Sequence, residues 1–461
     1  MKLWNKEKAV AILFMIIIYG NLAGLCLSIA LKMLGREEVV AEKPKLRIDY
    51  AVEYPFVLKD EVFTEEVIIE RSALAPVYDG REVWPMQNRV ITSFNAGFNL
   101  IKRMEEKINV YINMIDTYSY AHVPFRSEWI NIYGILNKCK GSIIIDSEIL
   151  IVKLKNGKLS YVYPSLNSSG QEEYLGIFAE KLEAQGIDFL YVNCPFKIDE
   201  RDKELPWAVE DNTNEGVNAF LDILREENIE VLDLRDMIYA SDLDYYDMFY
   251  TTDHHWTTES GFWASGQIAE YMNNNWGYDF NMAYLQEDNY HRKVYYEWYA
   301  GSQGKKTGIG YVKADDFVLL TPQFDTDFEI EIRTRDYSGK GSFEETLYDY
   351  SQVQQKNFYL YNPYNGYLYD DNPLTQIHNL QIANGKRILV LKDSFALAVV
   401  PFLAAAEGAE YVDVIDLRWF TGSLETFMKE NRPDSVVMIY NPGMLDYRDY
   451  RDNHNNPWNM E

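Results

Sequence analysis

"ILVLKDSFALAVVPFLAAAEG", residues 388–408, decides the fold. Four apolar residues lead into the polar triplet Lys392-Asp393-Ser394, and a helix is expected over 395–407. A short apolar run closed by a turn reads as a buried strand, and a strand feeding directly into a helix is half of a βα unit. The same alternation recurs on both sides of it. Upstream, "QEEYLGIFAEKLEAQ" (171–185) is an amphipathic helix, "IDFLYVNCPF" (187–196) a buried strand, "EGVNAFLDILREEN" (215–228) a helix and "IEVLDLRDM" (229–237) a strand. Downstream come a strand at 411–419, a helix at 422–431 and a strand at 435–442. Continuous apolar strands separated by helices predict an α/β fold, a parallel sheet covered by helices on both faces. Ligand sites in such sheets form at the carboxyl ends of the strands, where Ser394 falls.

The rest of the chain departs from this alternation. Residues 142–163 predict a β-hairpin turning at Asn156-Gly157. Residues 276–380 are rich in tyrosine and asparagine, carry a strand signal at 327–336 and predict an irregular β-rich insertion. Residues 91–137 place Phe98, Ile101, Met104, Ile108 and Ile112 at helical spacing, broken at Pro124. The expected organisation is a cytoplasmic stub and anchor over 1–35, a stalk and helical approach segment over 36–140, and the α/β domain over 141–461.

Residues 9–31, "AVAILFMIIIYGNLAGLCLSIAL", carry no charge and would extend about 34 Å as a helix, enough to cross a bilayer. Lys2, Lys6 and Lys8 before it predict a cytoplasmic start and an extracytoplasmic remainder. The formal net charge of −27 excludes nucleic acid as a partner. Aromatic residues reach 15%, a composition suited to sugar faces and to interfaces alike. Beyond Cys26 in the apolar run only Cys139 and Cys194 remain, too few for a disulfide framework, so the fold must rest on its core.

Ser394 at a strand-to-helix turn has two readings. Its hydroxyl could cap the helix, or it could attack a carbonyl while amides of the helix start hold the oxyanion. Attack requires a base, and "TTDHHWTTESGFWASG" (251–266) offers one. Asp253 and His255 are two residues apart, so in an extended loop both leave on one side and His254 on the other. This spacing fits an aspartate that orients an imidazole base. Two alternatives stand beside it: Thr252 and Asp253 as caps of the helix that follows, or Asp253, His254 and His255 as ligands of a divalent metal. The other four histidines fall in no ligand spacing.

The segment "YTTDHHWTTESGFWASGQIA", followed in order by "ILVLKDSFA", "VIDLRWF" and "SVVMIYNPGML", resembles the DHHW family of secreted or anchored bacterial proteins. That family is related to the alginate O-acetyltransferase group of SGNH-hydrolase-like folds. The resemblance implies an SGNH-hydrolase-like parallel sheet and a triad of Asp253, His255 and Ser394. It departs at Lys392, where ordinary SGNH enzymes carry glycine. Asn441 is a candidate oxyanion donor. Arg418 is a candidate for binding an acyl or sugar oxygen, with an ion pair to Asp416 or Asp413 as its alternative. The implied activity is O-acyl transfer to a cell-envelope polysaccharide, with esterase action or non-catalytic glycan binding as alternatives. No cofactor and no resident metal are expected. A multi-pass membrane acyltransferase is the expected partner, and Trp276, Tyr278, Tyr296 and Trp298 are candidate residues of a glycan cleft.

Overall fold

The computed structural model describes residues 126–146, 150–164, 166 and 170–446. The apolar run at 9–31 and most of the approach segment lie outside them. Among the described residues no helix is long and apolar enough to cross a membrane. The chain divides into two compact units, Met1–Ile132 and Tyr133–Glu461.

Among its described residues the second unit has thirteen strands, numbered in chain order. β1 (Ile144–Asp146), β2 (Ile151–Lys153) and β3 (Leu159–Tyr161) form a small antiparallel sheet. Asn156-Gly157 makes the turn between β2 and β3, with Gly157 at φ +91°, a conformation that glycine adopts without a Cβ clash. β4 (Asp188–Asn193) and β5 (Glu230–Asp233) follow. β6 (Tyr290–Tyr299) and β7 (Asp315–Pro322) pair as an antiparallel ribbon. β8 (Phe328–Ile332), β9 (Tyr337–Gly341), β10 (Leu374–Asn379), β11 (Arg387–Lys392), β12 (Tyr411–Ile415) and β13 (Ser435–Tyr440) complete the set.

The central sheet runs β5-β4-β13-β11-β12-β10-β8-β9. From β5 to β12 all neighbours are parallel, as the sequence predicts. β10, β8 and β9 then extend it antiparallel. Within 276–380, β8, β9 and β10 are added to the parallel core as sheet edge, while the β6–β7 ribbon, the short helices Ser302–Thr307 and Phe343–Thr346 and the turns around them lie outside that sheet.

Alternation along the central strands explains the layers. In β11, Ile388 and Val390 enter one core with Phe262 and Ile268 of helix Thr258–Trp276. Leu389 and Leu391 enter the opposite core with Phe178, Phe220 and Phe427 of three other helices. Each fully buried aliphatic side chain contributes about 1.5–3 kcal/mol, so uninterrupted Ile-Leu-Val-Leu is what a strand covered on both faces requires.

Several elements end earlier than the sequence predicts. The strand expected to 237 stops at Asp233, whose carboxylate accepts from the Arg235 amide and starts helix Leu234–Tyr239. The helix expected over 395–407 is a 3-10 turn, Ser394–Ala398, followed by helix Val400–Ala405. Pro401 has no N–H and a fixed φ, so the α-helix can begin only around it. Cys139 and Cys194 are both free thiols.

Candidate active site

The serine turn is set by β11 and by its parallel neighbour β13. At the carboxyl end of β11 the chain passes through Asp393, whose Oδ1 accepts from the Phe395 amide at 2.8 Å. Asp393 therefore caps the turn, and the hydroxyl of Ser394 is left for other work. The carbonyls of Ser394 and Phe395 accept from the Tyr364 hydroxyl at 3.2 and 3.1 Å. The Phe395 carbonyl also accepts from the indole N–H of Trp256 at 3.0 Å. The tryptophan of the DHHW tetrad thus ties the histidine segment to the serine turn.

The histidine segment is freed in the same way. Thr257 caps helix Thr258–Trp276 by accepting from the Ser260 amide, so neither Thr252 nor Asp253 is a cap. His255 Nε2 lies 2.7 Å from Ser394 Oγ, and His255 Nδ1 lies 2.7 Å from Asp253 Oδ2. With the proton on Nδ1 facing the carboxylate, Nε2 is free to accept from the serine hydroxyl. All three residues are buried, with Ser394 at 6% exposure and His255 at 5%.

Asp253 is held by a shell that the sequence did not disclose. Its Oδ2 also accepts from the Tyr299 hydroxyl. Its Oδ1 accepts from the amides of His254 and Ser302 at 2.9 and 3.1 Å, and from Ser302 Oγ at 2.9 Å. Burial alone would raise this carboxyl, but the imidazoles of His255 and His254 and their hydrogen bonds hold it well below the usual carboxylate range. Gly301 backs onto it so closely that a Cβ there would lie 2.0 Å from Asp253 Cβ. Tyr299, Gly301 and Ser302 sit where β6 runs into helix Ser302–Thr307, and no local pattern marks them.

His254 does not point away, contrary to the alternation expected of an extended loop. Residues 251–255 bend, and the two imidazole rings lie 3.9 Å apart. His254 Nδ1 faces Ser302 Oγ at 3.1 Å and Asp253 Oδ1 at 3.2 Å. The nitrogens and carboxylate of Asp253, His254 and His255 gather within 4.8 Å, close enough for a shared cation. Both ring nitrogens of His255, however, already face Asp253 and Ser394.

Arg418 and Asn441 stand at neighbouring strand ends, engaged with carboxylates. Arg418 donates to Asp416 from Nε at 2.9 Å and from Nη2 at 2.6 Å, and to Asp371 at 3.0 Å. Lys392 joins the same two aspartates, so the residue in place of the SGNH glycine belongs to a buried ion cluster. Asp413 pairs instead with Arg387. Asn441 directs both its amide N–H and its side-chain nitrogen to Asp393 Oδ2 at 2.6 Å. These donors hold the serine turn in place, at the residue expected to serve as an oxyanion donor. Of the expected cleft aromatics, Trp276 donates to Glu230 and Tyr278 bonds Ser435, at the amino ends of β5 and β13. Those ends are opposite to the serine turn, so the two residues cannot line a cleft there. Tyr296 and Trp298 lie on β6, three and one residues before Tyr299, and Tyr296 is 71% exposed.

Residues 160–295 match the family model of the SGNH hydrolase-like domain of the acetyltransferase AlgX. No curated protein matches the chain. Bacillus cereus PatB1 with a sulfonyl adduct superposes with a TM-score of 0.56 at 20% identity, over 66% of this chain and 99% of that one. A DHHW family protein from Eubacterium siraeum DSM 15702 gives 0.48 at 18% identity, over 67% and 94%. The O-acetyltransferase domain of Pseudomonas putida AlgJ gives 0.37 at 14%, over 65% and 92%. The likeness to the alginate O-acetyltransferase group read from the motifs is thus matched over 160–295 by an SGNH hydrolase-like domain, and the superposition on PatB1 agrees with the α/β fold.

Proposed function

We propose that the protein is an extracytoplasmic O-acyltransferase, which moves an acetyl group onto a cell-envelope polysaccharide through a Ser394 acyl-enzyme. The observation that carries this reading is the continuous hydrogen-bonded chain Ser394–His255–Asp253, assembled from segments 139 residues apart. The match to an acetyltransferase domain supports the choice of acyl group.

In the first step Ser394 Oγ attacks the acyl carbonyl carbon as its proton passes to His255 Nε2. That proton then leaves with the departing donor oxygen, and Ser394 carries the acyl group as an ester. In the second step a sugar hydroxyl gives its proton to Nε2 and attacks the ester carbon, and Ser394 Oγ takes the proton back. Asp253 keeps Nδ1–H oriented and stabilises each imidazolium. No cofactor enters these steps. The acyl donor is supplied by a multi-pass membrane partner, and the apolar run at 9–31 holds the chain at the membrane.

A chromogenic acetyl ester, with and without an oligosaccharide acceptor, tests the proposal. Ester cleavage that disappears in Ser394→Ala, and acetylated oligosaccharide among the products, are expected. Cleavage that survives Ser394→Ala overturns the nucleophile assignment; cleavage without acetylated sugar reassigns the protein as an esterase.

A further inference from the structure

One buried ammonium has no part in the chemistry above. Lys197 lies in the loop after β4, in "CPFKI" (194–198), and is 2% exposed. Its Nζ donates to the main-chain carbonyl of Asp253 at 2.7 Å and to that of Thr251 at 3.3 Å. Both acceptors are on the bend that carries the triad carboxylate and base. An ammonium held in the interior by carbonyls is costly, and a hydrophobic side chain of the same length would fill the space at less cost. What the ammonium adds is direction. Two carbonyls two residues apart converge on one cation, which turns the intervening backbone into the bend that brings Asp253 and His255 towards Ser394.

The opposite side of the bend is fixed independently. Asp315 at the start of β7 accepts from the amides of Thr251 and Thr252 and from the Thr252 hydroxyl. The main chain is thus gripped by an anion through its N–H groups and by a cation through its C=O groups.

We propose that Lys197 is a positioning residue for acyl transfer, whose ammonium clamps the 251–253 bend and makes turnover sensitive to its charge. This rests on the acyl-serine reading above. Burial pushes Lys197 down to about 7; Asp315 on β7 and Asp253 on the bend oppose that, and Lys158 from the β2–β3 turn reinforces it. Lys158 itself donates to the Phe249 carbonyl, and His254 and His255 are the other titratable groups on the bend. Below neutrality the clamp is a charge-assisted bond, and above it a weaker neutral one. The clamp therefore slackens as the pH rises through neutrality, and turnover falls with it.

The pH dependence of kcat and KM for the full-length protein and for Lys197→Met, measured with the chromogenic ester, tests this. The wild-type kcat is expected to fall as the pH rises above neutrality. Lys197→Met is expected to keep its KM, to lose about 10- to 100-fold in kcat and to lack the alkaline fall. An unchanged kcat and profile in a folded Lys197→Met protein overturns the proposal. If that variant does not fold, the wild-type profile decides: a kcat that rises and stays level through alkaline pH overturns it equally. Persistence of ester cleavage in Ser394→Ala would defeat the acyl-serine reading instead, and so tells the two failures apart.

Discussion

Tyr364 lies nearly flat on the imidazole of His255, with ring centroids 4.5 Å apart and planes 23° apart. The same residue donates its hydroxyl to the carbonyls of Ser394 and Phe395. One side chain from the turn Pro363–Gly366 therefore fixes both the plane of the base and the backbone of the nucleophile. A ring face also favours the imidazolium that forms when the serine proton is taken. Tyr364→Leu is expected to lower kcat by about 10-fold and Tyr364→Phe, which keeps the stack, by only about 2- to 3-fold, from stacking worth about 0.5–1.5 kcal/mol. Steady-state kinetics on the two variants separate the ring from the hydroxyl; equal losses would mean that the stack is irrelevant.

Asp253 is the most heavily bonded group in the site. Asp253→Asn presents the wrong atoms to His255 Nδ1 and is expected to cost about 10⁴-fold in kcat. It also carries a stability signature. The folded carboxyl lies well below its ordinary value, so its contribution is present above about pH 4 and lost as the pH falls through the folded value. Melting curves should show Asp253→Asn less stable than wild type at pH 7, with the gap closing in acid.

Gly301→Ala adds a single carbon at a point 2.0 Å from Asp253 Cβ. Neither main chain there can yield, because Gly301 donates to Thr252 Oγ1 and Ser302 to Asp253. The expected result is a destabilisation of about 1–3 kcal/mol together with loss of turnover. A protein with wild-type kcat and melting temperature would show that the approach is looser than the distance implies.

Lys392, Arg418, Asp371 and Asp416 form a buried four-charge cluster beside the serine turn. Removing one cation leaves buried carboxylate without full compensation. Lys392→Met is expected to destabilise by about 3–5 kcal/mol, measured by denaturant unfolding.

Asn441→Ala separates the two roles open to that side chain. A direct oxyanion donor would cost about 10²–10³-fold in kcat. The bond of its side-chain nitrogen to Asp393 predicts instead a smaller kinetic loss with a lowered melting temperature. A drop of about 10³-fold without thermal destabilisation would assign the oxyanion role instead.

The parallel core was legible because its signals are local. Ile388–Leu391 and Val436–Ile439 are apolar without interruption, which only a strand buried on both faces demands, and Asn156-Gly157 names its own turn. The candidate triad was legible too, since a two-residue step joins Asp253 to His255 and a strand-end turn exposes Ser394. Tertiary structure decided what no local pattern carries. Residues 139 apart meet because parallel pairing of β11 with β13 fixes where the serine turn lies, while Trp256 and Tyr364 bind the histidine bend to it. β10 joins the central sheet by antiparallel pairing with β12, and β8 and β9 follow it in turn, in a register set by partners distant in sequence. The pairing of Arg418 with Asp416 was one reading of the sequence, but its second partner Asp371, and the Asp393 that engages Asn441, arrive from segments 47 and 48 residues away. Hydrophobic period is a property of neighbours along the chain, whereas satisfaction of a buried polar group depends on whatever the fold brings beside it.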